Sequence, residues 1–185
     1  MDDRHMLTHG FRYEASFGRG SPNLSWITNL LGVSGSLHPG HIKELADMGV
    51  GAIVDLREED RDDPELLAQH GIRFLHFPVP DTWSPSQAQL VHGTEWVLSQ
   101  LAAGRKTLVH CKNGVGRSVV LACCVLIQQG QDLAGVLRQV KACRQGVALS
   151  QHQMNGLEQF ARLAKPSNPA APDLRFHSQG KRFVL

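Results

Sequence analysis

Five residues separate Cys111 from Arg117 in the stretch His110-Cys111-Lys112-Asn113-Gly114-Val115-Gly116-Arg117-Ser118. An apolar run, Thr107-Leu108-Val109, precedes it, and a second, Val119-Val120-Leu121-Ala122, follows. Glycines at such a strand-to-helix bend let the backbone curl until successive N–H groups point inward. The start of the following helix adds its positive end. A tetrahedral oxyanion such as phosphate fits that ring of donors at Lys112, Asn113, Gly114, Val115 and Gly116. Arg117 can add two parallel charge-assisted hydrogen bonds, a geometry that lysine cannot supply. The same positive surroundings favour the thiolate form of Cys111, which is the nucleophilic one. Ser118 can donate to that sulfur and ease its later departure. The stretch therefore reads as a device for forming and then breaking a thiophosphate bond.

Expelling an alkoxide or phenoxide from phosphorus calls for a proton donor within reach of the leaving oxygen. Asp81 is the candidate. It follows the run Phe77-Pro78-Val79-Pro80 and precedes Thr82-Trp83-Ser84, on a loop expected at the same edge of the sheet as Cys111. The prolines stiffen its approach; the plainer alternative is an aspartate that serves only the turn. Asp55 is the competing acid. It ends a strand-like run, a place where a buried carboxylate commonly holds backbone donors, and Arg57 either pairs with it or lines the pocket rim.

Elements of regular structure must bring these groups together. Residues 51–56, 72–79 and 107–110 read as buried strands, and 24–35 adds one or two more in front. Helical patterns cover 41–48, a segment opening at Asp63-Pro64 and stopping at Gly71, and one opening at Ser84-Pro85-Ser86-Gln87 and running to Gly104. Three more follow near 117–129, 132–144 and 150–164. Strands alternating with helices imply a single-domain α/β fold, a mainly parallel central sheet with helices on both faces. In such sheets ligands bind at the carboxyl ends of the strands. Asp55, Arg57, Asp81 and Cys111 all fall at those ends.

The nine residues 110–118 resemble the His-Cys-x5-Arg-Ser/Thr loop of the cysteine-dependent protein tyrosine phosphatases, and the chain is most similar to their atypical dual-specificity branch. The resemblance covers roughly 24–164 in element order, although only the loop and the Asp81 region match specifically. It implies a protein tyrosine phosphatase-like fold, Cys111 as nucleophile, Arg117 as phosphate clamp, Asp81 as general acid and Ser118 as helper in the second step. It also implies that His110 buttresses the loop, and that a glutamine positions the hydrolytic water. Gln153 and Gln151 are the candidates for that last role. Gln153 shares a helical face with Leu157, Phe160, Ala161 and Ala164 and projects inward, whereas Gln151 points elsewhere. Ser150 and Gln153 also satisfy a capping box, which leaves a purely structural use open. Asn113 departs from the small residue common at its position.

Composition narrows the reading further. The 185 residues suffice for one domain, with a polar segment over 1–23, a catalytic domain over 24–165 and a loose proline-rich tail over 166–185. A net charge of +2 and 6% aromatic residues argue against nucleic acid as partner. Neither a leader-like apolar stretch nor a run of about 18 apolar residues is present, so no membrane insertion is expected. Four cysteines without a disulfide-framework spacing fit a cytoplasmic protein with reduced thiols. Cys123 and Cys124 read as small core residues and Cys143 as packed on its helix. His5, His9, His38 and His41 lack a third ligand at useful spacing, and a thiolate mechanism needs neither metal nor cofactor.

The expected partner is thus a phosphorylated protein or another phosphomonoester, with phosphotyrosine and phosphoserine/threonine foremost. A phosphoinositide or an RNA 5′-phosphate is the alternative. Lys112 leans toward lipid, but Val115 stands where a second lysine would strengthen that reading. A non-catalytic phosphate-recognition module is disfavoured, because cysteine, arginine and acid are all present. A sulfurtransferase would not need Asp81. Oligomeric state is not legible in the sequence.

Overall fold

The computed structural model describes residues 23–164. The expected tail, the expected N-terminal segment apart from Asn23, and the His5–His9 pair lie outside them. Five strands form one sheet: β1 (Ser25–Trp26), β2 (Leu31–Ser34), β3 (Val50–Arg57), β4 (Arg73–Val79) and β5 (Lys106–His110). Their spatial order is β1-β2-β5-β3-β4. All neighbouring pairs are parallel except β1 with β2. Six α-helices complete the domain: α1 (Ile42–Asp47), α2 (Pro64–Gln69), α3 (Gln87–Ala102), α4 (Arg117–Gln128), α5 (Leu133–Cys143) and α6 (Gln151–Leu163). The expected α/β class and mainly parallel sheet are therefore observed.

The two central strands explain the layering. Successive side chains alternate across a strand, so Ile53 and Leu108 pack into one cluster with Ile42, Leu45 and Leu67 of α1 and α2. Val54 and Val109 pack into the other, with α3, α4, α5 and α6. Strands buried on both faces need apolar residues at nearly every position, which is why β3 and β5 were readable as continuous runs. Helix α4 lies at the heart of the larger layer, with every residue from Arg117 to Ile127 buried. Cys123 and Cys124 are fully buried there, as expected of core residues. Burial pushes the Cys123 thiol up to about 12.

Two expectations need correction. The capping box of α3 is Ser86 with Gln89, not Ser84 with Gln87. Both residues of the expected box are instead engaged with α6: Gln87 Nε2 donates to the Gly156 carbonyl at 2.9 Å, and Ser84 packs where a side chain on Gly156 would collide with it. That tertiary contact delays the helix start. Cys143 is exposed rather than packed, because α5 buries the face carrying Val136 and Val140. Asp63 caps α2 as expected, accepting from the Glu65 and Leu66 amides. No helix among the described residues is long and apolar enough to cross a membrane.

Candidate active site

The carbonyls of the turn between β5 and α4 hold it to its surroundings. Lys112 O accepts from the Ser36 amide at 2.9 Å and Val115 O from the Ala148 amide at 3.2 Å. Between them, Asn113 O and Gly114 O accept from the guanidinium of Arg144. Four consecutive carbonyls thus face outward into β2's flank, the α5–α6 connection and Arg144. Within a trans peptide plane N–H points opposite to C=O, and no peptide here is cis. The amides of residues 113–116 are thereby turned toward the centre of the loop. Gly114 (φ +69°) sits where a side chain would strike Arg144 and the Ser34 carbonyl. Gly116 is similarly confined, since a Cβ there would lie 2.7 Å from the Gln153 amide.

Cys111 lies at the floor of this ring, 3% exposed, with its Sγ 3.3 Å from Ser118 Oγ. Lys112 and Asn113 are exposed on the outer side of the loop and Val115 is half-buried. His110, fully buried, is anchored through Nε2 to Asp62 Oδ2 at 2.8 Å. Asp62 and Asp55 both bind Arg57, at 2.6 and 2.9 Å. Burial alone would raise the Asp55 carboxyl, but the hydrogen bond from Arg57 and the nearby His110 bring it below the ordinary carboxylate range. Asp55 is thus a fully buried partner of Arg57, and Arg57 pairs with it rather than lining the rim. Asp55, Asp62 and His110 bring ligand-type atoms within 4.8 Å of one another. The donors of Arg57 already satisfy both carboxylates, so the trio is an ion-pair network rather than a metal cradle.

Arg117 joins the loop to the acid segment. Its Nη1 donates to Glu59 Oε2 and to Val79 O, both at 2.8 Å. Its Nη2 donates to Glu59 Oε1 at 2.8 Å and lies 3.1 Å from Asp81 Oδ1. Among the described residues, Nε is buried with no hydrogen-bond partner. The Arg117 hydrogen bond holds the Glu59 carboxyl down to about 2. Asp81 itself is 58% exposed at the mouth of the site.

The segment after Asp81 is clamped by the first turn of α6. Thr82 adopts a left-handed conformation (φ 66°), and its carbonyl accepts from Ser150 Oγ at 2.5 Å. Trp83 stacks on His152, rings 4.4 Å apart and 13° from parallel. Gln153 is buried against the loop. It completes the expected capping box with Ser150 and donates to Trp83 O at 3.2 Å. Gln151 is exposed and bonds Asn155 instead. The structure thus brings Cys111, Ser118, Arg117, Asp81, His110 and Gln153 to one place and leaves Gln151 outside it.

Sequence reading missed Glu59, Asp62 and Arg144. The acidic run Glu58-Glu59-Asp60 after a strand end was visible, but nothing local says which carboxylate faces Arg117. Arg144 ends a helix as many surface arginines do, and no spacing marks it as buried.

The family model Tc-R-P, described as the DSP-PTPase phosphatase of polymorphic toxin systems, matches residues 33–131, from β2 past the end of α4 and more than half of the 185 residues. Phosphatidylglycerophosphate phosphatase PTPMT2 of Arabidopsis thaliana is 29% identical over 129 residues, covering 68% of this chain and 57% of that protein. Cyclin-dependent kinase inhibitor 3 of Rattus norvegicus is 34% identical over 70 residues, 38% of this chain and 33% of that protein. The chain therefore spans little more than half of the first relative and a third of the second. The crystal structure of Tk-PTP in the active form is similar at a TM-score of 0.72 and 28% identity, covering 77% of this chain and 99% of that one.

Proposed function

The chain belongs to the DSP-PTPase phosphatases of polymorphic toxin systems, and from that premise we propose that it hydrolyses phosphomonoesters through a phosphocysteine intermediate. The observation that carries this reading is the Arg117 Nε, buried and, among the described residues, without a hydrogen-bond partner, at the end of the same turn that buries Cys111. A buried donor without a partner costs about 1–3 kcal/mol, and a phosphate oxygen is the acceptor that this geometry suits. The Nε and Nη2 donors form one edge of the guanidinium fork. A phosphate that takes this edge bidentately displaces the Asp81 carboxylate from Nη2 and frees it for the leaving oxygen.

In the first step the Cys111 thiolate attacks phosphorus, the ester P–O bond breaks and Asp81 gives its proton to the departing oxygen. In the second, water attacks phosphorus, Asp81 takes the proton back and the S–P bond breaks. Ser118 Oγ then donates to the returning thiolate. Gln153, packed on Gly116, is suited to orient that water. No cofactor enters either step.

Glu59 and Asp81 leave two partly exposed carboxylates beside Arg117. They repel a multiply phosphorylated headgroup and favour a substrate carrying a single phosphate. Trp83, 53% exposed next to Asp81, offers an apolar face to an aromatic leaving group, so phosphotyrosine is the substrate this mouth fits best, with phosphoserine and phosphothreonine reachable in the same open site. Rapid-quench turnover of an aryl phosphate in chelator, followed by acid trapping, tests the mechanism. Label should map to Cys111, and Cys111→Ser should lose turnover while still binding phosphate. Undiminished turnover in that variant would end the covalent reading.

A further inference from the structure

Three arginines are buried around the phosphate loop, and two of them are neutralised. Arg57 pairs with Asp55, Asp60 and Asp62. Arg117 pairs with Glu59 and Asp81. Arg144 is 1% exposed and differs in kind. Its donors go to the carbonyls of Gly114, Asn113, Val33 and Asn23 and to the hydroxyl of Ser25. Among the described residues no carboxylate forms an ion pair with it.

Burying a cation without a counter-ion is expensive, and structures that do so have an anion nearby or a reason to attract one. Desolvation draws the Arg144 guanidinium down to about 10, and the Cys111 thiolate is the charge that works against this loss. The carbonyls that Arg144 grips are those of the phosphate loop itself. Its charge is therefore transmitted through one layer of peptide to the ring of amides on the other side. The other buried charges balance one another. The buried carboxylates Asp55 and Asp62 match the buried Arg57 and Arg117 in number, and Glu59, Asp60 and Asp81 are partly exposed, so among the described residues Arg144 is the buried cation left without a carboxylate.

We propose that Arg144 is a positioning residue and the uncompensated cation of the phosphate site: it acts from behind the loop, holding the Asn113 and Gly114 carbonyls outward and balancing the charge of an oxyanion bound in front. This rests on the phosphatase reading above, because it names the same site as the anion's place. Arg144 touches neither substrate nor sulfur.

Inorganic tungstate serves as the probe, with affinity measured by calorimetry on the full chain and fold checked by circular dichroism and melting temperature. Arg144→Gln keeps hydrogen-bonding capacity but removes the charge. It should weaken tungstate by about tenfold or more, the size of an interaction with a charged group. Arg144→Lys keeps the charge and should recover most of that loss. Equal affinity in a folded Arg144→Gln protein would overturn the proposal, as would a lysine variant no better than glutamine. If the glutamine variant does not fold, the wild-type protein supplies the answer. The Arg144 Nε–H resonance, identified by its proximity to the Gly114 and Val33 backbone, should shift in step with tungstate saturation; a resonance unmoved across the titration refutes the electrostatic role. Failure of the wild-type protein to bind tungstate at all sinks the phosphatase reading instead, so the two failures are distinct.

Discussion

Arg117 Nη2 and Asp81 Oδ1 lie 3.1 Å apart, so the arginine we propose as phosphate clamp already holds the carboxylate we propose as proton donor to the leaving oxygen. The pairing ties the end of β4 to the start of α4, across a sheet in which β4 and β5 are not neighbours. A bound phosphate and Asp81 compete for the same edge of the guanidinium.

That competition predicts opposite effects on binding and turnover when Asp81 is changed. Asp81→Asn should lower kcat for substrates with poor leaving groups by about 10²–10⁴, the usual range for a positioned acid. Inorganic phosphate should bind the variant as well as, or better than, the original protein. Leaving groups that need no proton should be affected least. The check is kcat over a series of aryl phosphates, with phosphate inhibition measured beside it; unchanged rates for the poorest leaving groups would return Asp81 to a turn residue.

Glu59 makes a prediction about stability and pH. Arg117 depresses its carboxyl from an ordinary 4.5 to about 2 in the folded state. A group whose folded pKa is lowered stabilises above its unfolded value and loses that contribution as pH falls through the folded one. Glu59→Gln should therefore be less stable than the original protein by a constant margin at neutral pH, and that margin should close between pH 4.5 and about 2. Urea denaturation of both proteins across this window is the measurement. A margin unchanged at low pH would show that the pairing with Arg117 contributes nothing through charge.

Gly114 and Gly71 separate backbone strain from close approach. Both have positive φ, +69° and +70°, but only Gly114 has neighbours where a side chain would go; around Gly71 nothing lies within 4 Å. Alanine at 71 should cost about 1–2 kcal/mol, the ordinary penalty for a left-handed non-glycine residue. Alanine at 114 should cost more, because it must also push back Arg144 and the Ser34 carbonyl, and it should weaken oxyanion binding with it. Melting temperatures and tungstate affinities of the two variants decide this. Equal losses in both would mean that the loop has room to yield.

Those contacts show where sequence reading reached its limit. The run 110–118 was interpretable because its chemistry is contiguous: strand end, turn and helix start follow one another, and the glycines that curl the backbone lie between the cysteine and the arginine. Asp81 was legible because it follows a strand whose carboxyl end faces the same edge. The capping box of Ser150 and Gln153 was legible because its partners are three residues apart. The box at Ser84 and Gln87 failed for a matching reason: two overlapping patterns were available, and contact with α6 at Gly156 chose between them.

By itself, then, the sequence determined the local layout of this protein: a cysteine at a strand end, glycines in the turn after it, an arginine at the helix start, a carboxylate on the neighbouring loop and strands buried on both faces. Tertiary structure alone decided which carboxylates meet which arginines. Glu59 reaches Arg117, Asp62 reaches His110, and Arg144 reaches the back of the loop because β5 is inserted between β2 and β3, and a charged side chain beyond a strand or helix end carries no periodicity that reveals its partner.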